Sequence, residues 1–324
     1  MRKTRWFYAL YSFLLAAAPG LAETVRFKPT AGYQSYGVRE PVLRIRPGDA
    51  LESETLMGGF YTEAGGAWPG EVGPILIEGA TPNDTLVVRI RRLRPNRDLA
   101  ISPIFPNFGG LHADDHTPML NPPIPEQRFL WRIDRQAGTG TLELPNSRLG
   151  RVTVPLSPML GRVAVAPADD ERPAGLAPGN FGGNMDTADA REGNTLYLPI
   201  FHPGAYFYFG DAHALQGDGE ICGTGLETTM EVTFEFDLIK GKAIRWPRFE
   251  DADFLMVAGS ARPLIDAFRI AHVELIHWLI DEYGFDLWEA YQLLSQVGVV
   301  RVANVVDTNY TVMAKFPKRY LPRR

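Results

Sequence analysis

The clearest pattern along the chain is an alternation of apolar and polar residues over positions 229–238, with apolar side chains at the even positions. Because successive side chains of a strand point to opposite faces, this alternation predicts a strand with one buried face. Residues 86–91 alternate in the same way. Shorter β-like runs lie between Gly/Pro turns at 42–45, 75–77, 151–154, 195–198 and 205–209. This spacing predicts a mainly β (α+β) fold built from antiparallel sandwich or barrel sheets.

Two segments near the C-terminus follow a helical period instead. In the first, apolar residues recur every three or four positions, which predicts an amphipathic helix packed on a sheet. The second begins at Asp286 with Glu289 three residues later, as in a capping box, and Gly298 stands where the helix would end. We therefore expect a C-terminal pair of helices. The apolar stripes are Leu264, Phe268, Ala271, Leu275 and Trp278, then Leu287, Ala290, Tyr291 and Leu294.

Composition narrows the class of protein. The chain has 32 Gly and 26 Pro in 324 residues, which exceeds the usual share of roughly 12% and indicates many turns. A net charge of −5 provides no basic surface, so we expect no nucleic-acid partner. The single cysteine excludes an intramolecular disulfide and any cysteine-rich zinc module.

The N-terminus has the pattern of a signal peptide. Three basic residues within the first five positions precede an apolar run over 6–18, which is shorter than the roughly 20 residues that span a bilayer. Gly20-Leu21-Ala22 offers small residues for cleavage, so we expect a signal peptide over 1–22 and a mature chain from Glu23. The mature protein is then expected to be periplasmic or secreted, without membrane association. An uncleaved anchor is the alternative.

Residue composition also suggests how the mature chain is divided. The stretch 167–183 is rich in Pro and Gly and is expected to be a linker or a long functional loop. We accordingly expect an N-terminal β-rich domain over 23–175. A C-terminal β-rich domain with the two helices is expected over 176–324.

Polar chemistry concentrates between residues 180 and 227. Residues 180–186 read Asn-Phe-Gly-Gly-Asn-Met-Asp, and 210–220 read Gly-Asp-Ala-His-Ala-Leu-Gln-Gly-Asp-Gly-Glu. Asp211 and His213 are two positions apart and share a face if the preceding strand continues. Carboxylates suit Ca²⁺, Mg²⁺ or Mn²⁺, and an added imidazole makes Zn²⁺ a further candidate. The alternative is ordinary turn chemistry, since Gly, Asp and Asn are common turn residues.

Cys222 is a rival centre of reactivity. A lone thiol near Glu220 and Lys240 in the sequence is a candidate acyl-forming nucleophile, as in Cys-dependent amidases. The alternative is a small buried apolar side chain.

Several familiar catalytic motifs are absent from the sequence. It contains no Gly-x-Ser-x-Gly elbow, no Walker loop and no His-Glu-x-x-His. Serine hydrolases of the elbow type, P-loop enzymes and zincins are therefore disfavoured.

The segment 182–227 strongly resembles the acetamidase/formamidase family. The matching motifs are Gly-Gly-Asn-Met-Asp at 182–186, the run at 210–220, and Glu227. Gly73-Pro74-Ile75 through Ile77-Glu78-Gly79-Ala80, Asn83-Asp84, and the run 312–318 are also similar to the family. The resemblance covers most of the mature chain.

The resemblance implies a mostly β protein that hydrolyses the carbon–nitrogen bond of small linear amides, of the formamide or acetamide type, to ammonia and a carboxylate. It also implies a divalent metal, Zn or Ca, a small amide as partner, and a homo-oligomer. Two alternatives stay open: an exported, non-catalytic binding β protein on the same scaffold, and a Cys222-dependent amidase. The site residues carried over are Glu220, Asp218 and Glu227 as catalytic groups, Asp186, Asp211 and His213 as metal ligands, and Gln216 and Asn184 as substrate contacts.

Overall fold

The computed structural model describes residues 22–111 and 124–322. Apart from Ala22, the expected signal peptide lies outside the described residues. Within them the chain forms strands and two α-helices, α1 (Leu264–Tyr283) and α2 (Leu287–Val297). The strands are β1 (Thr24–Arg26), β2 (Leu43–Ile45), β3 (Ala50–Glu54), β4 (Val72–Ile77), β5 (Thr85–Pro95), β6 (Leu99–Ile104), β7 (Gln127–Asp134), β8 (Thr139–Leu144), β9 (Gly150–Pro155), β10 (Met159–Ala164), β11 (Gly182–Asn184), β12 (Thr195–Pro199), β13 (Phe207–His213), β14 (Glu227–Thr228), β15 (Met230–Ile239), β16 (Arg248–Glu250), β17 (Phe254–Ala261), β18 (Val299–Asn304) and β19 (Tyr310–Pro317).

The strands form two large sheets. The nine-stranded sheet has the order β1-β3-β15-β5-β12-β16-β17-β19-β18. The ten-stranded sheet has the order β11-β10-β13-β14-β6-β7-β8-β9, with β4 paired to β13 and β2 paired to β4. The pairs β1/β3 and β2/β4 are parallel, and the other pairs within these sheets are antiparallel. The mainly β, mostly antiparallel architecture is confirmed, with two parallel pairs that the sequence did not indicate.

The sheets pack against each other through aromatic side chains. Phe207 and Phe209 of β13 contact Phe234 of β15, with ring centroids 5.6 and 5.0 Å apart. All three rings are fully buried. In β15 the even positions 230, 232, 234 and 236 are buried and the odd positions are partly or fully exposed, as the alternation predicts. The main hydrophobic core therefore lies between the two sheets.

Both helices form where the sequence predicts them. The buried face of α1, which includes Ala271 and Leu275, packs on β17 and β19 in a second hydrophobic cluster that also contains Leu294 of α2. Asp286 caps α2, because its side chain accepts hydrogen bonds from the backbone N–H groups of Trp288 and Glu289. Of the helices that the structure describes, none is long and apolar enough to cross a bilayer.

Strands from both sides of residue 175 contribute to each sheet. In the nine-stranded sheet β5 pairs with β12 and β15, and in the ten-stranded sheet β10 pairs with β13. The Pro/Gly-rich stretch 167–183 connects β10 to β11 and contributes Gly175 and Leu176 to a cavity described below. This segment therefore acts as a long loop of the site.

Candidate functional site

A cavity of about 420 Å³ opens beside β10, β13 and β14, and its lining combines two kinds of side chain. The polar cluster consists of Asp211, His213, Glu220 and Glu227, together with Asp186 directly beside them. The aromatic lining consists of Phe60, Trp68, Phe105 and Phe108. The sequence predicted the polar cluster and gave no indication of the aromatic lining.

Strand pairing brings three of the polar residues together. Asp211 and His213 lie at the end of β13, and Glu227 of β14 is the register partner of His213. His213 Nε2 is 3.3 Å from Asp211 Oδ1 and 3.1 Å from Glu227 Oε1. The imidazole therefore lies between two carboxylates, and all three side chains are buried.

Three acids of the cluster adopt a backbone conformation that non-glycine residues rarely take. The φ angles of Asp186, Asp211 and Glu220 are +42°, +55° and +47°. Strained backbone of this kind persists only where the surrounding structure enforces it, and it concentrates at functional sites.

Two glycines leave the space that the cluster needs. A Cβ atom at Gly161 would collide with carboxylate oxygens of both Asp186 and Asp211. A Cβ atom at Gly225 would lie 2.7 Å from His213 Nδ1, well inside van der Waals contact. Both positions therefore require glycine for the cluster to form.

A hydrogen bond from His213 Nδ1 to the side-chain oxygen of Gln216 determines the tautomer of His213. The Gln216 amide nitrogen donates to the carbonyl oxygens of Asp186 (2.6 Å) and Ala303 (3.2 Å). Its Oε1 therefore faces His213 Nδ1 at 2.8 Å and accepts a hydrogen bond from it. In the neutral imidazole, Nε2 then presents its lone pair to the carboxylates.

The cluster contains two groups of side chains that can hold a metal ion. These groups are Asp186, His213 and Glu220, and Asp211, His213 and Glu227, so both include His213. Asp186 Oδ1 and Glu227 Oε2 are buried and have no hydrogen-bond partner. Unsatisfied buried acceptors are costly, and a divalent cation would satisfy this set of oxygen and imidazole ligands. The residues present therefore fit a metal ion.

Charge interactions set the protonation of His213 and Asp211 in opposite directions. Burial alone would lower the pKa of His213, but the Glu227 and Asp211 carboxylates outweigh burial and raise it well above its usual value. Burial raises the pKa of Asp211, but Arg162 and His213 outweigh it and bring the pKa down to about 2. The Asp211 carboxyl group is therefore ionised. When no metal is bound, both ring nitrogens of His213 carry a proton.

The other three acids of the cluster are shifted toward the protonated form. Burial, followed by repulsion from Asp307, raises the pKa of Asp186 well above its usual range. Burial and Asp186 raise the pKa of Glu220 in the same way, and burial raises the pKa of Glu227 despite the attraction of His213. So many carboxylates in one buried place need either protons or a cation.

A buried arginine beside Asp211 was not predicted from the sequence. Arg162 of β10 lies with its Nε 3.2 Å from Asp211 Oδ2, and its Nη1 donates to Glu71 Oε1 at 2.6 Å. Burial raises the pKa of Glu71 to about 7 even though Arg162 opposes the shift. A lone charged residue within the buried strand 159–164 is the sequence signal that would have indicated it.

Asn184 is central to the hydrogen bonds around the cluster. Its Oδ1 accepts from Arg162 Nε at 2.5 Å, and its Nδ2 donates to Asp186 Oδ2 at 2.5 Å and Asp307 Oδ2 at 2.6 Å. Asn304 Nδ2 also donates to Asp307 Oδ2 at 3.1 Å. Asn184 lines the cavity, and both ends of its side-chain amide are hydrogen-bonded to protein side chains.

Asp218 is the one predicted site residue whose side chain lies away from the cluster. Its carboxylate is 61% exposed and pairs with Arg301 Nε at 2.8 Å. The turn that carries both Asp218 and Glu220 therefore directs Glu220 inward and Asp218 outward.

Cys222 is half-buried, and the described contacts of its Sγ are with Thr224, at 3.5 Å from the carbonyl oxygen and 3.7 Å from Oγ1. Lys240 pairs with Asp84 at 2.6 Å, in the turn before β5. Neither contact supplies the thiol with a base or a cation.

Comparisons with known proteins relate the part of the chain that carries this site to one family. Residues 171–320, which contain the whole polar cluster, match the Acetamidase/Formamidase family. A provisionally named formamidase of Schizosaccharomyces pombe is 28% identical over 210 residues, which are 52% of this chain and 51% of that protein. The chain thus spans about half the length of this curated relative.

Solved structures match along almost the whole chain. The acetamidase of Bacillus halodurans has a TM-score of 0.78 at 26% identity, with 91% of this chain and 98% of that chain covered. The acetamidase of Yersinia enterocolitica has a TM-score of 0.85 at 37% identity, covering 95% of this chain and 96% of that one. The chain therefore belongs to the acetamidase/formamidase family.

Proposed function

We propose that the protein is an amidohydrolase that cleaves the carbon–nitrogen bond of linear amides and releases ammonia and a carboxylate. The observation that carries the proposal is the pair of ligand groups that share His213 at a cavity large enough for an amide. Membership of a family with acetamidase structures supports the reaction type.

We further propose that a divalent cation, Zn²⁺ or Ca²⁺, is held by His213 with Asp211 and Glu227. When bound, such an ion supplies a Lewis acid for the amide carbonyl and lowers the pKa of water. Gln216 accepts a hydrogen bond from His213 Nδ1–H, which leaves Nε2 as the ring nitrogen free to bind a metal. Arg162 keeps Asp211 ionised, so that its oxygens remain available as ligands.

Glu220 is the proposed proton carrier of the reaction. Amide hydrolysis needs one group that accepts a proton from the attacking water and delivers it to the departing nitrogen. Glu220 lines the cavity, is buried, and has a pKa well above the usual range for a glutamate. A buried carboxyl group of this kind keeps its proton to higher pH than an ordinary glutamate and can donate it to a departing nitrogen.

The direct test is ammonia release from formamide, acetamide and larger amides by the purified mature protein, before and after chelation and with metal added back. We expect turnover that is lost on chelation and restored by a divalent ion. Turnover that resists chelation and is abolished by Cys222→Ala would support the Cys222-dependent alternative. Tight amide binding without ammonia release would support the non-catalytic binding protein.

We also propose that the mature protein is periplasmic or secreted and forms a homo-oligomer, with no nucleic-acid or membrane partner. The export proposal rests on the basic and apolar pattern of residues 1–22. Cell fractionation of the expressed protein tests the location, and light scattering tests whether the mass is a multiple of the chain mass.

A further inference from the structure

The cavity is much larger than the smallest amides require. Acetamide occupies the volume of roughly three water molecules, about 90 Å³ at ~30 Å³ each, whereas the cavity measures about 420 Å³. A cavity of this volume falls in the range of roughly 300–1,000 Å³ typical of sites for larger small molecules. Formamide or acetamide would leave most of this space to water.

Three of the four rings of the aromatic lining contact one another. The Phe60 ring lies 5.0 Å from Trp68 and 6.3 Å from Phe105, measured between ring centroids. These rings and Phe108 are half-buried. When an apolar ligand displaces water from such rings, the burial of apolar surface stabilises the complex.

This surface is directly connected to the polar cluster through Arg162. The Arg162 guanidinium lies 4.5 Å from the Trp68 ring centroid, and the Trp68 indole N–H donates to Glu71 Oε1 at 3.1 Å. Arg162 also pairs with Asp211. A molecule whose amide reaches the cluster therefore has its substituent next to aromatic rings.

The charge of the lining limits the nature of that substituent. Among the described residues that line the cavity outside the polar cluster, Asn184 and Asp307 are bonded to each other, and Arg162 is paired with Glu71 and Asp211. The remaining lining residues are uncharged. A carboxylate substituent would lose its hydration here without gaining an unpaired cation, because Arg162 is already paired with Glu71 and Asp211.

We infer that the site prefers primary amides whose acyl group carries an uncharged apolar substituent, about the size of a phenyl ring or a short alkyl chain, over formamide and acetamide. This inference rests on the proposed amidohydrolase function and specifies its substrate class. The amide binds at the polar cluster, and the substituent packs on Phe60, Trp68, Phe105 and Phe108.

The test is a series of kcat/KM values, from ammonia release, for formamide, acetamide, butyramide, hexanamide and benzamide. Each buried methylene is expected to raise kcat/KM about fourfold until the cavity is filled. Hexanamide and benzamide should exceed acetamide at least tenfold. 4-Carbamoylbenzoate, which adds a carboxylate to benzamide, should fall at least tenfold below benzamide.

Two variants test whether the aromatic lining causes the substrate preference. Phe105→Ala removes one ring and should lower the ratio of kcat/KM for benzamide to that for acetamide about tenfold. Leu176→Trp fills the cavity without removing a ring and should lower the same ratio. Phe129→Ala removes a ring on β7 that does not line the cavity, and it should leave the ratio unchanged.

The outcomes separate the inference from the proposed function. If kcat/KM is highest for formamide or acetamide and falls with each added carbon, the inference is overturned and the proposed function stands. The inference is also overturned if the ratio is insensitive to both Phe105→Ala and Leu176→Trp. If no amide in the series releases ammonia, the proposed function and the inference fail together.

Discussion

The Gln216 side chain accepts a hydrogen bond from His213 Nδ1 across 2.8 Å, and this contact decides which imidazole nitrogen faces Asp211 and Glu227. The amide cannot be reversed without placing its NH₂ group against His213 and its oxygen against two carbonyl oxygens. The orientation of the imidazole is therefore determined by backbone carbonyl groups of Asp186 and Ala303, through Gln216.

Gln216→Leu should weaken metal binding because it removes the acceptor that holds the Nδ1 proton. Loss of such an outer contact typically costs about 10- to 100-fold in metal affinity. Competition with a chromophoric chelator measures this affinity. Gln136→Leu, in an exposed turn, is the matched control and should bind metal like the wild type. An unchanged affinity in Gln216→Leu would contradict the assigned role.

Glu220→Gln and Asp218→Asn should have very different effects on kcat, although the two residues are only two positions apart. Glu220 lines the cavity, and removing its proton-carrying group should lower kcat about 10²- to 10⁴-fold. Asp218 is exposed and pairs with Arg301, so its variant should retain activity within about twofold. Steady-state ammonia release checks both. Full activity in Glu220→Gln would remove it from the mechanism, and a large loss in Asp218→Asn would restore the residue to the site.

Metal affinity should rise with pH. The pKa of His213 in the metal-free protein is raised well above its usual value, so the ring carries a proton at neutral pH. Metal binding at Nε2 must release that proton, and raising the pH populates the form that binds. One released proton gives up to about a tenfold gain in affinity per pH unit below the raised pKa. Calorimetry in two buffers of different ionisation enthalpy measures the proton release, and pH-independent affinity with no release would refute the prediction.

Arg162→Met should destabilise the fold by roughly 3–5 kcal/mol, because it leaves Glu71 and Asp211 buried without their cation. Adding Glu71→Gln should recover part of this loss by removing one of the unpaired charges. Urea unfolding provides the free energies. Arg92→Met breaks an ion pair with Glu231 in which both side chains are more than half exposed, and it should cost less than about 1 kcal/mol. Equal losses in Arg162→Met and Arg92→Met would contradict the buried role of Arg162.

The sequence indicated most of the polar cluster because its members lie close together in the chain. Asp186, Asp211, His213, Glu220 and Glu227 fall within 42 residues, between glycines that leave room for them. Strands such as β15 could be predicted from the alternation of apolar and polar residues, because one face of each such strand is buried. The parallel pairing of β1 with β3 had no local signal, since register depends on residues distant in sequence.

Sequence reasoning was weaker where the direction of a side chain depends on tertiary contacts. Asp218 and Glu220 have the spacing of one strand face, but they lie on a turn, and Arg301 draws Asp218 outward. Arg162 lies in β10 and Glu71 directly precedes β4, and they meet beside Asp211 only after the sheet forms. The aromatic lining comes from loops around Phe60 and Phe105, whose positions no periodicity predicts.

The site contains residues from both sheets, and it is complete only when residues distant in the sequence have been made. Gly219 N–H donates to the carbonyl oxygens of Val302 and Ala303, and Val305 N–H donates to Gly219 O, so the turn beside Glu220 is bonded to β18. Asn304 and Asp307 follow immediately and contact the amide of Asn184 and the carboxylate of Asp186. A nascent chain that has not yet been extended past residue 307 lacks these hydrogen-bond partners, so the candidate site is complete only late in synthesis.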